Sequence, residues 1–418
     1  MRLAVVGAGS TYTPELVDGL VRMRDLLPLD ELALHDVDEA RLATLAAMTQ
    51  RMLDRSAHPA RVSRTTRLED AVEGADAVLI QLRVGGQAVR VVDERAPLAC
   101  GCLGQETTGY GGLAKALRTV PVVLDVAERA RRVAPDAWIV DFTNPVGIVT
   151  KALLDDGHRA VGLCSAAMVF QRHFASILGV APERVELDHL GLNHLTWEVG
   201  VRLDGRDVLA SLVGEHVERI APATGLPPDL VRRLGVVPSY YLHYFYEHDA
   251  VVEHQRSHPS RAEEVAEIEA ELLALYADRA LAEKPELLGR RGGAYYSEAA
   301  VELLASLFGR GQGDRHVVNV RNEGALPFLA DDAVVEVPAR VTPAGVEHVA
   351  LPALDPLHRG LVAHVSAYED LALDAALRGG RERVFRALLA HPLIAQASVA
   401  DRLADTLIEA NREFLAWA

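Results

Sequence analysis

Short apolar runs alternate with segments of helical period through residues 1–165, and that alternation leaves few folds open. The runs fall at 3–6, 32–35, 77–82, 137–142 and 160–163. Strands separated by helices in this way form a parallel sheet with helices on both faces, an α/β doubly wound arrangement of Rossmann type. Ligands of such sheets lie beyond the carboxyl ends of the strands. The polar residues after each run are therefore the first candidates for function: 7–11, Asp36, 83–86, 143–145 and Cys164.

The first turn is the most informative of these. A run at 2–6 meets Gly7-Ala8-Gly9 and leads into an amphipathic segment at 14–27. Strand, glycine turn and helix together present backbone N–H groups to a pyrophosphate, so Gly7, Gly9, Ser10 and Thr11 form a candidate dinucleotide site. A full fingerprint carries a third glycine where this chain has Tyr12, and helix and strand are not expected to approach there as they do in the standard version. Asp36 ends the second run 27 residues after Gly9, close to where an acid bonds the ribose hydroxyls. A carboxylate there repels a 2′-phosphate, which points to NAD over NADP. The ordinary alternative is a turn that only joins a buried strand to a helix.

With 418 residues, half of them apolar, the chain can bury a large core in two domains or one two-lobed unit. The expected division is a nucleotide-binding domain over 1–165 and a mixed α+β catalytic domain over 166–418. No apolar run is long enough to span a bilayer, and the N-terminus lacks the pattern of a secretory signal, so a cytoplasmic protein is expected. Three cysteines are too few for a disulfide framework and suit a reducing compartment. A formal charge of −16 argues against nucleic acid and anionic membranes as partners, because both need a surplus of Lys and Arg. A small anionic substrate held by a few arginines remains compatible with it.

Beyond residue 165 the texture changes. Strands are expected at 185–190 and 196–203 around Gly191-Leu192-Asn193-His194, a helical aromatic stretch at 239–246, and a charged helix at 261–282. β character resumes at 317–321, 333–340 and 346–350, and helical period from Pro356 onward. Cys164 reads on its own as core filler, and His194 as a hydrogen-bonded turn histidine. A sulfur and an imidazole thirty residues apart make a weak metal signature by themselves. Asn144 before Pro145 is either a turn former or an amide reaching a ligand. The segment 101–112 holds five glycines beside Gln105, Glu106, Thr107 and Thr108, a loop expected to be flexible and able to approach a ligand. Four tyrosines at 240–246 are core packing by default, although a phenol near a cation can act as a base. Arg90, Arg261, Arg290 and Arg291 are candidates for an anionic group, each competing with a solvated surface role.

Together these pieces resemble glycoside hydrolase family 4, the NAD- and metal-dependent phosphoglycosidases, and among them the 6-phospho-β-glucosidases. The motifs are VVGAGSTYTPEL at 5–16, RVGGQAVRVVDERAPL at 83–98, GQETTGYGGLAKALRTVP at 104–121, DFTNPVG at 141–147, GLC at 162–164, GLNHLTW at 191–197, YLHYF at 241–245 and RGGAYYSEAA at 291–300. The resemblance implies that Cys164 and His194 bind a divalent metal, usually manganese, together with two hydroxyl groups of the sugar. It implies that Tyr241 is the base, that Asn144 and Arg90 orient the sugar, that Arg261 lies near its phosphate, and that Arg83 and Tyr12 join the nucleotide site. The protein is expected to act on a small phosphosugar as a homodimer or homotetramer.

The implied chemistry departs from the carboxylate pair of ordinary glycosidases. NAD takes hydride from C3, the ketone acidifies the C2 hydrogen, and Tyr241 as phenolate removes it while the metal stabilises the enediolate. The leaving group departs from C1, water adds, and the hydride returns, so the net reaction is hydrolysis. Ser165 follows the cysteine where related enzymes often carry Asp or Asn; this weakens a reading as an α-specific family 4 glycosidase and leaves the leaving-group acid unassigned. The strongest rival is an NAD-dependent 2-hydroxyacid dehydrogenase, which shares the nucleotide half and an Asn-Pro-Val turn but needs a His–Asp pair. A catalytically silent NAD-binding regulatory module is the alternative from another class.

Overall fold

A computed structural model describes residues 1–311 and 314–418. Its framework is one sheet of 13 strands. The first six are β1 (Arg2–Val6), β2 (Glu31–His35), β3 (Arg61–Thr65), β4 (Ala77–Ile80), β5 (Trp138–Asp141) and β6 (Ala160–Gly162). They pair in parallel in the order β3-β2-β1-β4-β5-β6. The order reverses direction between β1 and β4, which opens a crevice at their carboxyl ends. β3 was not expected. Its sequence, RVSRT, has a single apolar residue and lies on an exposed edge, where arginines discourage further strand pairing.

The remaining strands are β7 (Val185–Leu192), β8 (Leu195–Leu203), β9 (Arg206–Asp207), β10 (Val237–Pro238), β11 (Arg315–Arg321), β12 (Val334–Thr342) and β13 (Gly345–His348). They continue the sheet in antiparallel fashion as β11-β12-β7-β8-β10, with β13 beside β12 and β9 beside β8. The junction is made where Asn319 of β11 faces Gly162 of β6. A Cβ on Gly162 would lie 2.1 Å from the Thr150 hydroxyl, so only glycine lets β6 and its covering helix meet there. The main core runs under both parts of the sheet, from Val5 and Leu79 to Val318 and Val337. A second core around Phe174, Val201, Leu212 and Ile220 packs helices against the β7–β8 hairpin.

Several helices end earlier than their periodicity suggests. The first spans Thr13–Arg22, and Met23 closes it with a bond to the Gly19 carbonyl. The charged helix is Arg261–Ala277. It begins in a capping box, with Glu263 N–H donating to the Ser260 hydroxyl at 3.3 Å and Ser260 N–H to the Glu263 carboxylate at 2.6 Å. The tyrosine stretch is a single turn of 3-10 helix at Tyr240–Leu242 followed by a short helix, His243–Tyr246.

The glycine-rich segment is also unlike its expectation. Gly111 and Gly112 lie in the first turn of helix Gly109–Val133, and a Cβ on them would strike Gln105 O at 2.3 Å and Thr107 C at 2.7 Å. The glycines let residues 105–108 fold flat against the helix start. Gln255 brackets Gly104 with two bonds, at 3.0 and 2.8 Å, so the segment is clamped.

Asp141, at the end of β5, is wholly buried, and burial pushes its carboxyl up to about 8 against the Thr143 N–H that bonds it at 2.9 Å. A folded-state value raised above the unfolded one means that this group's contribution to stability is fully present below about pH 4 and is lost as pH rises through about 8. Asp141→Asn keeps the acceptor for Thr143 N–H and is expected to flatten the fall in melting temperature between pH 5 and pH 8. A variant with an unchanged slope in thermal melts would show Asp141 to be ionised throughout.

Candidate active site

The loops beyond the strand ends bring most of the expected residues into one region. Cys164 follows β6, and Asn193 and His194 form the two-residue turn between β7 and β8. The turn is tight because Gly191 has φ 149° and a Cβ there would lie 2.0 Å from the Leu195 carbonyl oxygen. His194 itself takes φ 62°, an uncommon conformation for a residue with a side chain. Two contacts hold it: its Nδ1 lies 2.9 Å from the Thr107 hydroxyl, and its ring stacks on Tyr241 at 3.5 Å between centroids and 9° between planes. Asn193 donates to Glu336 at 2.7 Å, and its amide lies near the Cys164 sulfur. Thiol, imidazole and phenol thus share one spot, in which His194 is buried and Cys164 and Tyr241 are half-buried.

Its electrostatics are anionic. Burial and the Glu336 carboxylate raise the Cys164 thiol above its ordinary value. Burial, reinforced by Cys164, Tyr244, Glu106 and Glu336, holds the Tyr241 phenol well above 10. Burial pushes His194 down to about 4, so its imidazole is neutral. A soft sulfur, a neutral ring nitrogen and two nearby carboxylates form a donor set and a field that suit a divalent cation.

Two buried ion clusters flank this spot, and neither was assigned from the sequence. Glu106 bonds Lys115 at 2.6 Å, Arg83, and Arg90 at 3.3 Å. Burial would raise its carboxyl, but Arg83, Lys115 and Arg90 outweigh that and hold it well below the usual range. Lys115 is lowered to about 7 by burial and Arg83, against the pull of Glu106. Arg90 also bonds Glu94 at 2.7 Å, and Glu94 accepts the Ala262 N–H at the start of helix Arg261–Ala277 at 2.8 Å. The second cluster is Glu198–His189–Glu336, with His189 Nδ1 2.6 Å from Glu198 and Nε2 2.9 Å from Glu336. Glu336 also accepts from Asn319 at 2.9 Å.

The nucleotide turn has the expected shape. Gly9 N–H donates to Asp36 at 2.8 Å, and a Cβ on Gly9 would lie 2.7 Å from that carboxylate. The Thr11 hydroxyl is buried and has no partner among the described residues, an orphan that a bound phosphate oxygen can satisfy. Helix Thr13–Arg22 has no side-chain cap, which leaves its amino end to a ligand. Tyr12 fills the gap left by the missing glycine: it is buried, its hydroxyl donates to the Gly293 carbonyl, and its ring meets Tyr296 edge-on at 5.1 Å. Arg291, 5.2 Å above the Tyr12 ring, is not a surface residue, since it is largely buried against Glu269 at 2.8 Å.

Asn144 precedes a cis proline, and its amide oxygen is buried without a partner among the described residues. Arg261 stands farther out, half exposed, bonding Glu264 at 2.9 Å and the Arg290 carbonyl at 2.8 Å.

The His189 cluster carries a stability prediction. Burial lowers the imidazole, but Glu198 and Glu336 outweigh it and raise His189 to about 10. Its contribution is therefore fully present below about pH 6.5 and is lost as pH rises through about 10. Removing the cation leaves two buried carboxylates facing each other, so His189→Ala is expected to cost about 3–5 kcal/mol in urea unfolding at pH 7. A loss near 1 kcal/mol would mean that the carboxylates are not charged.

Comparison with known proteins agrees with this architecture. A probable 6-phospho-β-glucosidase of Bacillus subtilis is 36% identical over 430 residues, covering 99% of this chain and 97% of that protein. A phospho-α-glucosidase of Clostridium acetobutylicum is 28% identical over 99% of this chain and 98% of its own length. The crystal structure of a 6-phospho-β-glucosidase from Thermotoga maritima with manganese, NAD+ and glucose-6-phosphate superposes with a TM-score of 0.93 at 34% identity, covering 99% of each chain. Residues 2–180 match the family 4 glycosyl hydrolases and residues 189–394 their C-terminal domain, so that both parts of the sheet carry the same assignment. The chain belongs to family 4 of the glycosyl hydrolases.

Proposed function

We propose that the protein hydrolyses 6-phospho-β-glucosides by transient oxidation at C3, proton removal at C2, elimination and addition of water. One observation carries the reading: Cys164, His194 and Tyr241 converge beside a nucleotide turn at the strand ends. When bound, NAD supplies a reversible hydride acceptor and a divalent metal, manganese by this reading, supplies positive charge. Cys164 and His194 would hold the metal; Gly7, Gly9, Ser10, Thr11, Tyr12, Asp36 and Arg83 would hold NAD.

The chain's own residues do the rest. Tyr241 takes the C2 proton once C3 is oxidised; its phenol is neutral in the anionic site of the chain alone and ionises as positive charge enters. Asn144, with its unpartnered amide oxygen, orients a sugar hydroxyl. Arg90, locked between Glu94 and Glu106, presents a fixed guanidinium edge. Arg261, half exposed and paired with Glu264, would turn to the 6-phosphate. The lean to β-linked substrates is supported by Ser165 and by the 36% identity to a β-glucosidase against 28% to an α-glucosidase. No described helix is long and apolar enough to cross a membrane. We read the chain as a cytoplasmic homodimer or homotetramer, with 1–165 as the nucleotide unit and 166–418 as the catalytic unit.

A chromogenic 6-phospho-β-glucoside is expected to be cleaved only with both NAD and manganese present, and the unphosphorylated glucoside not at all. Chelation should stop turnover, and product made in heavy water should carry deuterium at C2. Cleavage without nucleotide, or product free of deuterium, would overturn the mechanism. A net gain of NADH with a 2-hydroxy acid would favour the dehydrogenase.

Tyr241→Phe and Cys164→Ser are each expected to lower kcat by about 100-fold or more while nucleotide affinity, measured by calorimetry, stays unchanged. Wild-type turnover in either variant would remove that residue from the mechanism.

A further inference from the structure

The contact between Thr107 and His194 has a determinate direction once its neighbours are counted. Thr107 N–H lies 2.5 Å from Gln105 Oε1. A backbone N–H can only donate, so the atom facing it is the amide oxygen and the orientation of the Gln105 side chain is settled. The same oxygen lies 2.8 Å from the Thr107 hydroxyl. A carbonyl oxygen has no proton to give, so the single hydroxyl proton of Thr107 goes to Gln105. The hydroxyl is then left with lone pairs toward His194 Nδ1, 2.9 Å away. Nδ1 must carry the proton.

We infer that Gln105 and Thr107 act as positioning residues that fix the tautomer of His194, leaving Nε2 without a proton. A neutral imidazole has one N–H, and a metal takes the nitrogen without it. Metal-binding histidines are generally set in this way by the bond made at the other ring nitrogen. Here the lock is built from the clamped segment: Gly111 and Gly112 let residues 105–107 lie against the helix, and Gln255 pins Gly104. Tyr241 covers one face of the ring, and the turn at φ 62° fixes its root, so the imidazole cannot swing to exchange nitrogens. The segment that the sequence offered as a flexible ligand loop is the part that aims a ligand atom.

The inference rests on the reading of His194 as a metal ligand, and its test separates the two. In metal-free protein labelled with 15N-histidine, NMR should show His194 protonated on Nδ1 in the wild type and a mixture of tautomers in Thr107→Val. Manganese titration followed by electron paramagnetic resonance should show affinity about 10–100-fold weaker in Thr107→Val and in Gln105→Leu, and within about threefold of wild type in Thr107→Ser, with NAD affinity unchanged throughout. A proton on Nε2 in the wild type, or undiminished manganese affinity in both Thr107→Val and Gln105→Leu, would overturn the inference. A wild type that binds no manganese would sink the metal reading, while the tautomer measured by NMR would still decide the lock.

Discussion

A single buried carboxylate, Glu106, organises the ground on which the site stands. It draws Arg83 from the end of β4, Arg90 from helix Gly86–Arg95 and Lys115 from helix Gly109–Val133. A charge with so little solvent contact persists only when paired. Across the site, Glu336 and Glu198 share the cation of His189. The space between carries a thiol, a neutral imidazole and a phenol that burial keeps protonated. Two internally paired ion clusters with an uncharged strip between them suit a site that takes up a cation and an anionic sugar phosphate together.

The sheet itself is shared with other nucleotide proteins. A lactate dehydrogenase structure overlays at a TM-score of 0.58 and 15% identity, which is a likeness of fold alone. That likeness covers 91% of this chain, so the difference lies in the side chains that the second set of strands carries. The hairpin of β7 and β8 delivers Asn193 and His194, and β12 delivers Glu336 beneath them. A dehydrogenase reading required a histidine paired with an aspartate; His194 is instead bonded to a threonine hydroxyl, and Asp188 is engaged by Arg202 and Arg315. The shared fold allows both chemistries, and the partners of His194 and Asp188 distinguish between them.

The sequence made the parallel sheet legible because strands buried on both faces are continuously apolar, as in β1, β2, β4 and β5. It hid β3, whose outer position removes that signal. It made Cys164, His194, Tyr241 and Asn144 visible through motif order, and none of them through spacing, since 77 residues separate the cysteine from the tyrosine. Glu106 was named only as part of a ligand-approaching loop, and Lys115, Glu336 and His189 were passed over, because a charged residue in one dimension looks solvated; only the fold shows where its partners are. For Glu106 and Lys115 a signal was present, a Glu and a Lys flanking a glycine cluster. For His189 and Glu336, 147 residues apart, there was none. Tyr12 looked like a defect in a glycine fingerprint, and its reach to Gly293 explains why the defect is tolerated.

The hydrogen-bonded seam between β6 and β11 has a mechanical corollary. Opening the two parts of the sheet as a clamshell would have to shear the backbone pairing at Asn319 and Gly162. Admission of a sugar and departure of its aglycone therefore fall to segments outside the sheet. The 3-10 turn Tyr240–Leu242 lies outside the strands, and through it Tyr241 reaches the ring of His194.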